Sequence, residues 1–128
     1  MLRIALTTLL GLVAGAICAA AAFSAGILEF TPVNLAWVLL NRAVMGFAIG
    51  ASGLRLRWAW NGAIVGLLVG SIYSYFLFMR VGLTALPMLN ALANGIFGVL
   101  IEFLTTVVFK QPATAAPLRA GSLPAARL

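Results

Sequence analysis

Histidine and aspartate are missing altogether, cysteine occurs once, and only two of the 128 residues are acidic. Each shortage closes off a class of chemistry. With no histidine and a single thiol there is no donor set for a metal and no nucleophile–base pair, so hydrolytic or metal-dependent catalysis has no residues to run on. Cys18 has no partner for a disulfide within the chain. It follows Ile17, not the small residue that precedes the cysteine of a lipoprotein signal. No nucleotide-binding loop is present. The expectation is a protein that is not an enzyme and carries neither cofactor nor metal.

Charge is scarce too. Charged residues make up 8% of the chain, against about a quarter in a soluble domain, while 64% of the residues are hydrophobic. The apolar residues fall into four runs, each near or above the roughly 18 residues that cross a bilayer as a helix. They are 3–23 ("RIALTTLLGLVAGAICAAAAF"), 33–52 ("VNLAWVLLNRAVMGFAIGAS"), 58–78 ("WAWNGAIVGLLVGSIYSYFLF") and 86–109 ("LPMLNALANGIFGVLIEFLTTVVF"). The pattern predicts an all-α membrane protein, a four-transmembrane-helix bundle over 1–109 embedded in a lipid bilayer. Residues 110–128, rich in Pro and Ala, read as a disordered basic tail.

The net charge of +6 does not point to nucleic acid, because the basic residues are spread over loops and gathered on no face. Their distribution speaks to topology. Arg3, Arg55, Arg57, Lys110, Arg119 and Arg127 fall on one side of a four-span chain and Arg80 on the other, which predicts cytoplasmic termini in a bacterial-type cytoplasmic membrane. Such a bias argues against insertion in both orientations. Trp58 and Trp60 read as inner-interface anchors, Trp37 and Tyr75 as outer ones.

The first run also resembles a signal peptide, with Ala20 and Ala22 suited to cleavage. An internal repeat favours its retention. A shift of 55 residues matches "GLVAGAI" (11–17) to "GLLVGSI" (66–72), Phe23 to Phe78 and Pro32 to Pro87; slightly smaller shifts set Asn41 opposite Asn94 and Gly46 opposite Gly98. The chain then reads as two parallel-related helical hairpins.

Small residues four apart let membrane helices approach closely. Such rows occur in every span: Gly11, Gly15 and Ala19; Gly46 and Gly50; Gly62, Gly66 and Gly70; Ala91 and Gly95, with Gly98. Packing within the bundle accounts for all of them. The third row, a full GxxxGxxxG, is the one most suited to a subunit interface in a homo-oligomer or a larger membrane complex.

The conspicuous residues are polar ones inside spans: Asn41, Arg42, Asn90, Asn94 and Glu102. An arginine at mid-span costs about 2.5–3.5 kcal/mol on insertion scales and needs a partner. Glu102 is one choice. At 1.5 Å per residue, however, Arg42 lies roughly 14 Å from the outer end of its span and Glu102 roughly 24 Å, whereas Asn94 matches Arg42 in depth. Glu102 falls level with Thr8 and Asn61. The stripe Asn90, Asn94, Gly98, Glu102 must face protein or water. It reads either as interhelical glue in a structural or accessory protein, or as a polar pathway for an anion or small solute in an oligomeric channel or transporter. Small multidrug-resistance transporters and fluoride channels share the size and helix count. The first helix lacks the acidic residue of the former, and the third lacks the Thr/Ser/Phe-rich motif of the latter.

Overall fold

A computed structural model of the chain describes residues 1–52, 57–81 and 85–111. Nearly all of the tail, and Arg55 in the second loop, lie outside the described residues. Four helices are present: α1 (Leu2–Ser24), α2 (Pro32–Ala51), α3 (Trp58–Val81) and α4 (Ala85–Phe103). All four are long and apolar enough to cross a membrane, and no strand occurs among the described residues. The fourth run is not one uniform helix, because a π-helical turn over Leu104–Val108 follows α4.

Local chemistry sets the ends. Beyond Ser24 the backbone turns through Gly26, whose φ of +68° lies in the left-handed region that glycine enters freely. The Ile27 amide closes the turn on the Ala22 carbonyl at 2.9 Å. Thr31 then caps α2, its hydroxyl accepting from the Asn34 amide at 3.1 Å, and Pro32 opens the first turn where its missing N–H is harmless. Replacing Thr31 with Ala is expected to lower stability by about 1 kcal/mol, read as a drop in the thermal midpoint of the detergent-solubilised protein. No change would mean that the cap does not hold the start of α2.

The four helices form two tight hairpins. In α1–α2, Gly11 lies against the Arg42 carbonyl and Gly46 Cα, and Gly46 lies against Thr7 and Thr8. In α3–α4 the same arrangement recurs, with Gly66 against the Asn94 carbonyl and Gly98 Cα, and Gly98 against Gly62 and Gly66. The third glycine row is therefore spent inside the chain, against α4, and is not free to form a subunit interface. These contacts also correct the register of the repeat. Gly11 corresponds to Gly66 and Gly46 to Gly98, and the residue equivalent to Asn94 is Arg42, not Asn41: Arg42 Cβ packs on Gly15 as Asn94 Cβ packs on Gly70.

Where the hairpins meet, Met45, Ile49, Val65 and Ile101 form a small apolar core. Around it the usual distribution is inverted. Asn41, Arg42, Asn61, Asn94, Glu102 and Thr105 are buried, while Leu9, Ile17, Leu40, Phe47, Leu68, Ile72 and Ile96 are exposed.

Candidate functional site

The buried polar residues separate into two groups on either side of the apolar core. The first gathers where α1 and α3 begin and α2 and α4 end. Arg3 Nη2 donates to both oxygens of Glu102 at 2.8 Å, and Nη1 donates to the Gln111 carbonyl at 2.6 Å. Asn61 Nδ2 donates to Glu102 Oε1 at 3.0 Å, and Ser52 Oγ donates to Asn61 Oδ1 at 2.9 Å. One residue from each of α1, α3 and α4, with Ser52 just past the end of α2, thus joins a network in which Glu102 is only 1% exposed. The Gln111 carbonyl that Arg3 meets lies just past the π-helical turn.

The second group lies on the other side of the core, about 12 Å away along α4 at 1.5 Å per residue. Here Arg42 Nη1 donates to Asn94 Oδ1 at 2.5 Å, Nη2 donates to Cys18 Sγ at 3.3 Å, and the guanidinium carbon sits 4.7 Å from the centre of the Phe97 ring. Asn94 is held in turn, its Nδ2 donating to the Asn90 carbonyl at 2.8 Å, and Asn90 Nδ2 donates to Ser74 Oγ at 3.0 Å. Arg42 and Asn94 occupy equivalent places in the two hairpins, so their hydrogen bond joins the repeats at corresponding points.

Beside Arg42 a cavity of about 590 Å³ opens between the hairpins, at the end where α1 and α3 finish and α2 and α4 begin. Asn41 and Arg42 line it, and both are buried, at 4% and 3% exposure. Two of their polar atoms, Asn41 Oδ1 and Arg42 Nε, are buried with no hydrogen-bond partner. That is unusual: an unmet buried polar group costs about 1–3 kcal/mol and more when charged. Most of the remaining wall is apolar, with Asn34, Asn90 and Tyr73 as further polar members.

The chain matches no protein-family model, no curated protein and no solved structure. Its own geometry must carry the functional argument.

That geometry divides the stripe expected on α4. Asn90 and Asn94 belong to the cavity side, Glu102 belongs to the network, and Gly98 between them is closed against α3. Arg42 meets Asn94, the partner favoured by depth, and Glu102 meets Arg3. Among the packing glycines, Gly15 and Gly70 seat Arg42 and Asn94, Gly50 lies against Thr7 and Ile4, and Gly95 lies nearest the side chain of Leu67. Sequence reasoning misses Arg3, Cys18, Ser52, Ser74 and Tyr73 as members of the two groups, and reads Trp37 as an interface anchor although it lines the cavity. A signal for Arg3 exists: Arg3, Thr7, Gly11 and Gly15 follow at four-residue steps and are all buried.

Proposed function

We propose that this chain is a small multi-pass membrane protein that admits a small solute into the cavity between its hairpins and serves as the solute-binding unit of a carrier. The single observation behind this reading is that Arg42 and Asn41, two residues of the wall of an open cavity, each keep a buried polar atom, Nε and Oδ1, without a partner. Native interiors rarely leave such atoms unmet unless a ligand or water meets them. The apolar exterior and polar interior are what a bilayer demands. With the basic flanks cytoplasmic, the cavity faces the outside of the cell and the Arg3–Glu102 network closes the inner end. Two hairpins, each locked by glycine contacts, are suited to rocking against one another as rigid halves. Tight internal packing and an extensive polar network, in which Arg3 Nε is the buried atom left without a partner, also suit a structural or accessory component. The network favours that second reading; the cavity favours solute binding, and we give it the greater weight.

The native Cys18 provides a test. In proteoliposomes, a charged methanethiosulfonate reagent added on the cavity side is expected to modify Cys18 at least about tenfold faster than the thiol of Ile17→Cys in a Cys18→Ala background. The two positions share a depth, but Ile17 is 59% exposed on the outer surface whereas Cys18 lines the cavity. Thiolates form in water and not in lipid. Equal rates at the two positions, or no reaction at Cys18 from either side, would sink the solute-binding reading.

A further inference from the structure

We infer that the cavity takes a monoanion with an apolar body, a carboxylate on a short hydrocarbon being the simplest member of the class. The inference rests on the reading that the cavity admits a solute. It begins with charge. The chain contains two acidic residues, Glu29 and Glu102. Glu102 is engaged by Arg3 and Asn61 on the far side of the core, and Glu29 is exposed in the loop before α2. Neither neutralises Arg42. The groups around the guanidinium, the Asn94 carboxamide, the Cys18 sulfur and the Phe97 ring, are uncharged ones that orient it. A buried cation without a counter-charge is costly, and a bound anion removes that cost.

The free donors narrow the headgroup. Nε has no partner and is covered, so an anion reaches it only by displacing the packing over it, and Nη2 has used one of its two hydrogens on Cys18. Nε and Nη2 form the side-on edge of the guanidinium, the planar fork that matches the two oxygens of a carboxylate. In the Asn41 carboxamide of the same wall, Nδ2 is the group able to donate to an anion, while the unpartnered Oδ1 is an acceptor that calls for a donor such as water beside the headgroup. One cation matches one negative charge, so a polyanion would bring in surplus charge with nothing to meet it.

Size and lining specify the rest of the ligand. A cavity of about 590 Å³ is in the range of small-molecule sites and far larger than a bare inorganic anion needs. Its walls away from Arg42 include Ile27, Leu28, Val38, Phe76 and Leu89. An apolar body fills that space and gains by leaving water. The same headgroup chemistry is presented by a water-soluble short-chain acid and by a fatty acid residing in the bilayer.

Protection of Cys18 in the full-length protein reads the binding directly. Proteoliposomes are treated with methyl methanethiosulfonate, which is uncharged, in the presence of hexanoate, hexanol, hexylammonium or acetate. Hexanoate is expected to slow modification at a concentration about ten- to a hundredfold lower than hexanol, the range a charge-assisted hydrogen bond supplies. Hexylammonium and acetate are expected to protect still less. Dodecanoate supplied within the bilayer separates the two sources. Stronger protection by dodecanoate than by hexanoate assigns the bilayer, the reverse order assigns the aqueous phase, and either supports the class. Arg42→Gln is expected to erase the advantage of hexanoate over hexanol. Because the four-probe comparison needs only the wild-type protein, misfolding of that variant leaves the inference open to refutation. Equal protection by hexanol or hexylammonium would overturn the anion while leaving solute binding intact. Protection by none of the probes at a reactive Cys18 would overturn the ligand class, and an unreactive Cys18 would overturn the solute-binding reading beneath it.

Discussion

A single methyl group added at Gly62 is expected to destabilise the protein by about 2–3 kcal/mol, the upper part of the range for overpacking. The new Cβ would stand 2.7 Å from the Gly98 carbonyl carbon and 2.9 Å from Val99 Cα, and closer still to the Gly98 carbonyl oxygen. All three are backbone atoms of α4, so no side chain can rotate aside and the helices must separate. Separation is costly in lipid, where close packing rather than hydrophobic exclusion holds helices together. Gly95→Ala is the matched control. Its Cβ would meet Leu67 Cδ2 at 3.0 Å, the far end of a flexible side chain, and the change is expected to stay within about 1 kcal/mol. Denaturant titration in detergent micelles measures both. A Gly62→Ala protein as stable as wild type would show that α3 and α4 do not approach at this point.

Glu102→Ala is expected to cost about 3–5 kcal/mol, the penalty for leaving a buried charge without its partner. Arg3 would lose both of its 2.8 Å bonds and Asn61 Nδ2 would lose its acceptor. Removing both charges, as in Arg3→Met with Glu102→Leu, is expected to recover most of that loss, because a buried ion pair and a well-packed apolar pair are often comparable in stability. Recovery should fall short of complete, since Asn61 and the Gln111 carbonyl would still lack partners. A double-mutant cycle with no coupling between positions 3 and 102 would refute the pairing.

Much of the architecture was legible because long apolar runs and small-residue spacing follow simple rules. Four long apolar runs could only become helices, and rows of small residues at four-residue spacing marked the faces along which they cross. Depth counting distinguished Asn94 from Glu102 as the neighbour of Arg42, since a mismatch of about 10 Å is hard to bridge with one side chain. Arg3 escaped for a specific reason. The positive-inside argument counts a basic residue near a span end as a flank and takes no account of the face it occupies, although Thr7 and Gly11 follow it on the buried stripe. The repeat register failed by one residue, which on a helix is a rotation of about 100° and separates Asn41 from Arg42. The cavity was not legible at all. It is a gap between hairpins, and a gap has no residue pattern of its own.

The Arg3–Glu102 pair also bears on how the chain is made. Its two members are 99 residues apart in sequence, while most other close contacts join neighbouring helices within a hairpin. Each hairpin can therefore form as it leaves the ribosome, but the pair waits until the last helix has been delivered. Long-range contacts of this kind form late because closing a long loop is entropically unfavourable. Until then Glu102 is not available to Arg3. Completion of the fourth helix then supplies Glu102 and joins the first turn of α1 to the last turn of α4, fastening the two hairpins together.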